Sequence, residues 1–361
     1  MAVLRILSVL ILVSAVVSLA LPALAEDFQL EDGFVPMFNG EDFSGWQFDQ
    51  KWSLPDPQPK NWSVADGVIR LAGGGRPHLG SQWDYQDFDM RFQWRALREK
   101  YNSGFYIRSN RKVGNNQINL AKGAEGRFFG GKMTGGKPVP ELQKPAMEWN
   151  DWRVRCEGGD VKFWCNGELA WEGTEFASRS GHIGLQAEGA PLEFRRFRIK
   201  ELKMESLSVQ SKWPRTKDEH WQKSNYGLLF NPDGIARVKP ENRYGDYVLR
   251  LEWKADGTAA EIGVVEKARV TTVRLNDSGG KFIEGQPPKS VDNPPGQWNF
   301  LQLTLKDGKL SVWQNGTGVV NDFDTSSGQA VDGGFLVIRA TEPGMQFRNI
   351  RIKAAAQATA Q

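Results

Sequence analysis

The stretch Asn102–Leu120, NSGFYIRSNRKVGNNQINL, alternates polar and apolar residues as paired strands do. Its amide side chains both donate and accept hydrogen bonds, as a hydroxyl-rich ligand requires, and its arginine could clamp such a ligand or pair with a carboxylate across a sheet. The stretch contains no carboxylate, so a reaction that needs an acid or a base must take it from elsewhere in the chain. The candidate ligand-binding residues here are Asn102, Arg108, Asn115, Gln117 and Asn119.

The segment from Asn119 to Asn150 is rich in glycine and in basic residues. It contains six glycines and five lysines or arginines, among them Lys132, which is typical of a long surface loop. Beside a binding face it could act as a substrate lid, with Lys132 contacting a ligand oxygen, or it could be a solvated loop whose glycines form turns. A loop that fills the face would instead favour a protein-interaction scaffold.

Composition and charge narrow the function classes. The chain has 361 residues, 40% hydrophobic and 25% charged, as in soluble globular proteins. Its 46 basic and 43 acidic residues give a formal net charge of +3, which argues against nucleic acid or an anionic membrane as the main partner. Fourteen tryptophans offer flat apolar faces on which sugar rings stack, so we expect a carbohydrate ligand and leave the oligomeric state open.

The N-terminal residues indicate an export signal. Arg5 precedes a long apolar run, Pro22 ends it, and residues 23–25, Ala-Leu-Ala, form a small-x-small cleavage site. We therefore predict a signal peptide at residues 1–25 and a periplasmic or secreted mature protein, with no membrane partner after cleavage. Because the apolar run is long for a signal, an uncleaved anchor is the alternative.

The rest of the chain contains an internal repeat. YQDFDMRFQWRA (Tyr85–Ala96) matches YGDYVLRLEWKA (Tyr244–Ala255). EWNDWRVRCEGGDVKFWCNG matches QWNFLQLTLKDGKLSVWQNG. In both copies the tryptophan of the Trp-Asn pair and the asparagine of the Asn-Gly pair are 17 residues apart. The predicted units are a first domain at 30–203, a linker at 204–220, a diverged second domain at 221–353 and a disordered tail at 354–361.

Each unit consists of short alternating strands separated by Gly, Asn and Asp turns, with almost no helical periodicity. This pattern predicts an all-β protein built from two-sheet antiparallel sandwiches of the jelly-roll type. One hairpin, turning at Gly158 and Gly159, directs Trp164 outward, and the second unit repeats that position. Trp164 could therefore stack on a sugar from a concave sheet, or a loop could cover it.

The same hairpin carries both cysteines of the chain. Its register places Cys156 opposite Val161 and Cys165 opposite Trp152. The two sulfurs would share a face but lie roughly 13 Å apart at strand rise. Because a disulfide needs Cα atoms within about 7 Å, we predict two buried, unpaired thiols.

Several motifs in the first unit resemble the 3-keto-disaccharide hydrolase family. They include GFVPMFNGEDFSGW (Gly33–Trp46), NSGFYIRS (Asn102–Ser109) and GHIGLQAEGAPLEFRRFRIK (Gly181–Lys200), and together they span roughly residues 30 to 203. The resemblance implies a concanavalin A-like jelly roll, so the full expectation is a tandem of concanavalin A-like jelly-roll sandwiches. The second unit keeps fewer of these motifs and looks like a diverged copy.

The resemblance also implies a reaction. Family members act on glycosides oxidised at C3, where the ketone acidifies the C2 proton, so that a base starts an elimination and water then adds. Such a site needs one base and donors for an enolate oxygen, not the paired carboxylates of an ordinary glycosidase. It further implies that Gln186, in GLQAEGA, lines the groove.

The chain departs from the family at two acidic features. Where members commonly show Glu-x-Gln-Ile-x-Asp, this chain has Asn115 and Leu120 at the acidic positions, and Glu188 stands in the place of a histidine. One explanation is a relocated base, for which the candidates are Glu188, Glu125 and Glu148. The other is a non-catalytic carbohydrate-binding tandem module, since an amide-rich groove suits a lectin.

No metal site or cofactor is predicted, because the three histidines are far apart in sequence and the cysteines lack metal-ligand spacing. A divalent cation such as calcium, bound by carboxylates and backbone carbonyls, is left open.

Overall fold

A computed structural model describes residues 28–49, 58–110, 115–207, 221–224, 227–230, 236–238, 244–255, 259–266, 269–276, 282–284, 286–287, 289, 291–325, 335–340 and 344–354. The predicted signal peptide at residues 1–25 lies outside the described residues, as do nearly all of the predicted tail and most of the predicted linker. Those predictions therefore stay predictions.

The regular secondary structure described in the first half of the chain is strand, apart from one short 3-10 helix at Pro140–Leu142. Its strands are β1 (Val35–Pro36), β2 (Trp46–Phe48), β3 (Trp62–Ala65), β4 (Val68–Leu71), β5 (Leu79–Ser81), β6 (Phe88–Ala96), β7 (Gly104–Ser109), β8 (Gln117–Asn119), β9 (Phe128–Phe129), β10 (Asn150–Glu157), β11 (Asp160–Cys165), β12 (Glu168–Gly173), β13 (His182–Leu185), β14 (Leu192–Glu201) and β15 (Glu205–Ser206).

Except for β15, these strands form two antiparallel sheets that pack face to face. Sheet A has the order β12-β11-β10-β6-β14-β4-β3, with β1 beside β14, and sheet B has the order β2-β5-β13-β7-β8-β9. Aromatic rings fill the space between the sheets: the ring of Phe92 on β6 lies 4.6 Å from that of Phe105 on β7 and 4.9 Å from that of Phe197. Alternation along each strand places such residues inward, and the predicted all-β antiparallel sandwich is confirmed.

The β10–β11 hairpin has the predicted register. Cys156 pairs with Val161 and Trp152 pairs with Cys165. Both cysteines are buried and unpaired, and burial raises the pKa of the Cys156 thiol to about 12. A thiol with so high a pKa is a poor nucleophile, so these cysteines act as small core residues.

The second half forms two further antiparallel sheets. Sheet C has the order β16-β17-β26-β19-β22-β23-β24, with β15 beside β26, and sheet D has the order β18-β25-β20-β21. Leu249 and Leu303 of sheet C pack with Ile262 and Ile338 of sheet D in one hydrophobic core. The strands are β16 (Trp221–Ser224), β17 (Gly227–Phe230), β18 (Ala236–Val238), β19 (Tyr247–Lys254), β20 (Ala260–Glu266), β21 (Arg269–Leu275), β22 (Asn299–Lys306), β23 (Lys309–Gln314), β24 (Thr317–Asp324), β25 (Phe335–Ala340) and β26 (Gln346–Ala354).

A buried ion-pair network joins the two halves. The carboxylate of Glu201, at the end of β14, accepts hydrogen bonds from Arg351 Nη1 at 2.7 Å and from Arg250 Nη1 at 3.2 Å. The guanidinium of Arg250 lies over the ring of Trp83, which is 5.3 Å from the ring of Trp313. Trp313 repeats the outward position of Trp164, and it packs against the first half instead of facing a ligand.

We expect Glu201→Gln to lower the free energy of unfolding by about 3 kcal/mol, because Arg351 is almost fully buried and would lose its carboxylate partner. The matched control is Glu172→Gln, which removes an exposed pair with Lys162 and should cost less than about 1 kcal/mol. Urea denaturation followed by tryptophan fluorescence measures both. Equal effects of the two substitutions would contradict a stabilising role for the network.

Candidate functional site

The outward surface of sheet B carries two rows of residues fixed by strand register. Its inward surface is apolar, with Phe105, Ile107, Ile118, Ile183 and Leu185 buried in the core. We call the outward surface the polar face. Its central row runs across six strands through Gln47, Gly80, Gly184, Tyr106, Gln117 and Phe129. Its second row contains Gln186, Gly104, Asn119 and Arg127.

Glycines form the floor of the polar face. A Cβ at Gly184 would lie 2.9 Å from the carbonyl oxygen of Leu79 and 3.3 Å from the rings of both His182 and Tyr106. A Cβ at Gly80 would lie 3.0 Å from the His182 ring. Because these positions lack a Cβ, the neighbouring rings can lie close to the backbone.

Three rings converge over this floor. The ring centroid of Tyr106 is 5.7 Å from that of His78 and 6.5 Å from that of His182. With Gln47 and Asp49 they line a small cavity. Two of the chain's three histidines therefore meet on this face, although they are more than a hundred residues apart in sequence.

Hydrogen bonding fixes the tautomer of His78, and burial favours its neutral form. Its Nδ1 accepts the backbone N–H of Ala187 at 3.0 Å, so in the neutral ring Nε2 carries the proton and acts as a donor. Burial lowers the pKa of His78, the nearby Arg76 lowers it further, and the Asp49 carboxylate opposes these effects. The imidazole is therefore held neutral.

Glu188 and Tyr106 interact electrostatically on the polar face. Burial raises the pKa of Tyr106 to about 12, and the negative charge of Glu188 adds to the increase. The Tyr106 hydroxyl therefore stays protonated at neutral pH. The Glu188 side chain is half-buried, and within the described ranges no hydrogen-bond donor engages its carboxylate.

The other two candidate carboxylates lie elsewhere. Glu125 is buried in the core, where its carboxylate accepts the hydroxyl of Tyr101 and its carbonyl accepts the N–H of Val139. Glu148 is exposed and precedes Trp149, whose ring stacks with Arg195 on the outward side of sheet A. We therefore remove Glu125 and Glu148 from the candidate catalytic groups and retain Glu188.

Three of the predicted amides lie on the polar face. Gln117 lies flat over Gly104, since a Cβ at Gly104 would be 2.2 Å from its amide carbon. Its Nε2 donates weakly to Ser103 O and to Asn119 Oδ1, both at 3.4 Å. The Oε1 of Gln186 is buried and accepts no hydrogen bond from the described residues. These amides have capacity left to bind a ligand.

Asn102 and Asn115 border the polar face. Asn102 is exposed, and its carbonyl lies close to Gly189, next to Glu188. Asn115 closes a turn, with its Oδ1 accepting from Ser109 Oγ at 3.0 Å and from the N–H of Asn110 at 2.8 Å. Asn102 stays a candidate, whereas the Asn115 side chain is engaged within the protein.

Arg108 is a structural residue. Its guanidinium is buried and donates to the carbonyl oxygens of Gln86 at 2.5 Å, Gly158 at 2.6 Å and Ser178 at 3.1 Å, and to Asp87 Oδ1 at 3.0 Å. Because these acceptors engage the guanidinium and the side chain is buried, Arg108 is not available to donate a hydrogen bond to a substrate. Of the two sequence interpretations, pairing with a carboxylate is the one observed.

Trp164 and Lys132 also lie away from the polar face. Trp164 belongs to β11 in sheet A, on the opposite side of the sandwich, and the guanidinium of Arg153 lies 4.4 Å from its ring centroid. Lys132 is exposed beyond β9, and its carbonyl accepts the N–H of Ala177. We therefore withdraw both from the candidate binding residues.

The sequence analysis missed His78, Tyr106, His182 and Phe129. Tyr106 could have been found by alternation, since it lies between the apolar Phe105 and Ile107. His182, Gln186 and Glu188 are separated by even numbers of residues along β13 and the segment that follows it, so alternation would place their side chains on the same side. The pairing of β5 with β13, which brings His78 into place, has no local sequence signal.

In the part of the chain that the structure describes, no three His, Cys, Asp or Glu side chains meet in a way that could bind a metal ion. No helix among the described residues is long and apolar enough to cross a membrane.

Comparison with known proteins places the chain in a family. A curated 3-keto-disaccharide hydrolase from Bacteroides thetaiotaomicron is 24% identical over 233 residues, covering 47% of this chain and 79% of the relative. Among solved structures, a candidate glycosyl hydrolase from Parabacteroides distasonis is 22% identical with a TM-score of 0.37, covering 47% of this chain and 94% of its own. A carbohydrate-binding module from Bacillus subtilis is 13% identical with a TM-score of 0.33, covering 43% and 95%. The 3-keto-alpha-glucoside-1,2-lyase-like domain model matches residues 33–200 and 209–353, and the chain belongs to that family.

Proposed function

We propose that this protein cleaves glycosides that carry a ketone at C3 of a sugar ring, and that Glu188 is the base. The observations that carry the proposal are the negative charge of Glu188, which acts on Tyr106 and adds to the rise in its pKa, and the His78 ring, whose centroid is 5.7 Å from that of Tyr106. The name of the curated relative, a 3-keto-disaccharide hydrolase, supports the same substrate class.

The chemistry requires one base and two kinds of donor. Glu188 removes the proton from C2, and the C2–H electron pair forms an enolate whose oxygen was the C3 ketone. When the ketone reforms, a C1–C2 double bond appears and the glycosidic oxygen leaves C1 with a proton. Water then adds at C1 and a proton returns to C2, so that the net reaction consumes one water molecule.

Tyr106 and His78 are suited to the donor roles. Burial keeps the Tyr106 hydroxyl protonated, and His78 presents Nε2–H because its Nδ1 accepts the Ala187 amide. A neutral imidazole N–H can stabilise an enolate oxygen by donating a hydrogen bond while it keeps its proton. We assign one of the two donors, His78 or Tyr106, to the enolate oxygen and the other to the leaving oxygen. The orientation of the bound substrate decides which donor serves which oxygen.

The second candidate function is carbohydrate binding without catalysis. It is favoured by the amides Gln47, Gln117, Asn119 and Gln186 on the same face, which can bind sugar hydroxyls with no acid or base. Under either function we propose an exported protein with a carbohydrate ligand, because residues 1–25 have the pattern of a cleavable signal.

We expect Glu188→Gln to lower kcat for a C3-oxidised disaccharide by about 100- to 1000-fold, because the C2 proton loses its acceptor. NMR of the purified protein would follow release of the free sugar, with the unoxidised parent disaccharide as a substrate control. Glu148→Gln is the matched variant and should leave kcat unchanged, since Glu148 lies on the sheet A side of the sandwich.

Two results would contradict the assignment. Full activity in Glu188→Gln would show that another group is the base. No cleavage by the wild-type protein, with chemical-shift changes that report binding of either disaccharide, would favour the binding module.

We expect His78 to titrate below the ordinary histidine value of 6.5, because burial and Arg76 disfavour its charged form. A pKa lowered in the folded state stabilises the fold above pH 6.5, and this contribution is lost as the pH falls toward the folded-state pKa. An NMR titration of the imidazole signals, assigned with His78→Gln, measures the midpoint. A midpoint at or above 6.5 would contradict the neutral donor.

A further inference from the structure

Asp49 and His78 extend the second row of the polar face beyond the paired residues of β2 and β5. The N–H of Asp49 donates to the carbonyl oxygen of His78 at 3.0 Å, and the N–H of His78 donates to Asp49 Oδ1, also at 3.0 Å. Each is two residues from a member of the central row, Gln47 or Gly80, so alternation directs both side chains outward. The cavity that they line beside Tyr106 has a volume of about 20 Å³, which is room for a water molecule.

Two acceptor atoms of these lining residues have no donor in the described part of the chain. Gln47 is almost fully buried, and its Nε2 donates to Ser81 O at 3.0 Å, but no described residue donates to its Oε1. Asp49 uses Oδ1 for the His78 N–H and for Arg76 Nη1 at 3.3 Å, and no described residue donates to its Oδ2. A buried amide oxygen without a donor is unfavourable, so the cavity suits a small ligand that has hydrogens to donate.

His78 supplies the complementary donor. Its Nδ1 accepts the Ala187 N–H, so its Nε2 carries the proton of the neutral ring. A water molecule can donate to Gln47 Oε1 and Asp49 Oδ2, accept from His78 Nε2, and keep a second lone pair for bond formation. Because Tyr106 lines the same cavity, a water bound there lies beside the groups proposed to hold the reacting sugar ring.

We propose that this cavity holds the water that adds at C1, with Asp49 as its base and Gln47 as the group that orients it. The inference rests on the proposed function, because the water attacks the unsaturated ketone that elimination leaves. It assigns the second half of the reaction to Asp49 and leaves the first half to Glu188. The two carboxylates therefore serve successive steps and not a single displacement.

The hydration step balances without an added reactant. The water oxygen bonds to C1, its proton passes to Asp49 Oδ2, and the electron pair of the C1–C2 double bond moves to form an enolate at C3. The ketone reforms as C2 takes a proton from Glu188, whose acidic proton exchanges with solvent between the two steps. The proton on Asp49 replaces the one that left with the glycosidic oxygen, so both carboxylates return to their starting state.

The test separates elimination from hydration in single-turnover reactions of a C3-oxidised disaccharide. NMR of quenched samples follows the released sugar, and ultraviolet absorbance follows the unsaturated ketone. In Asp49→Asn, release of the sugar should stay within about 3-fold of wild type, whereas hydration should slow about 100-fold, so that the unsaturated ketone accumulates. Asparagine tolerates the φ of 43° at this position and keeps an oxygen for the His78 N–H, so the local backbone is preserved.

Two further variants accompany Asp49→Asn. Gln47→Leu removes the amide oxygen that orients the water and should slow hydration about 10-fold, again with little effect on release of the sugar. Asp66→Asn is the matched control and should leave both rates unchanged, because 86% of the Asp66 side chain is exposed at the turn between β3 and β4.

The outcomes separate this inference from the proposed function. If Asp49→Asn slows hydration no more than elimination, the hydration site is overturned, even where the wild-type protein cleaves the substrate. If the wild-type protein cleaves nothing, the proposed function fails, and the unsaturated ketone, prepared by elimination in alkali, tests hydration alone. Faster hydration by the wild-type protein than by Asp49→Asn would then support the site, and equal rates would overturn it.

Discussion

The polar face depends on the missing side chains at Gly80, Gly104 and Gly184. Strand pairing puts Gly80, Gly184 and Tyr106 in one row, and a Cβ at either glycine would press on a ring or on a backbone carbonyl. Without those Cβ atoms, Tyr106, His182 and Gln117 can lie against the sheet. Any larger residue at these glycine positions would displace the side chains of the candidate site.

Charged residues outside the polar face hold it in place and do no chemistry. Buried Arg108 bonds three carbonyls and Asp87, and so ties the end of β7 to neighbouring turns. Glu125, in the segment between β8 and β9 that leads to Phe129, accepts the hydroxyl of Tyr101 from the segment before β7. In this fold, charged side chains within the sandwich stabilise the structure and are paired, because an unpaired buried charge would be costly. The chemistry falls to a few groups on the polar face, among them Glu188, His78 and Tyr106.

Features set by local interactions could be predicted from the sequence, whereas features set by long-range strand pairing could not. Alternation and a Gly-Gly turn are local, so the β10–β11 register and the unpaired Cys156 and Cys165 were predictable. Alternation also separates inward from outward residues, but it does not tell which sheet a strand joins. Trp164 was therefore predicted on the ligand side and lies on sheet A. The meeting of His78 with Tyr106 depends on pairings across the whole first half, which no local pattern encodes.

The central claim is that a base on the polar face removes the C2 proton before the glycosidic bond breaks. Its most direct test is NMR of a C3-oxidised disaccharide cleaved by the full-length protein in D₂O, with early product examined for deuterium at C2 and with an enzyme-free sample to correct for spontaneous exchange. Elimination followed by hydration predicts one deuterium at C2 in each new keto-sugar molecule. Product that keeps its original C2 proton would contradict the account, because direct displacement at C1 leaves that bond intact.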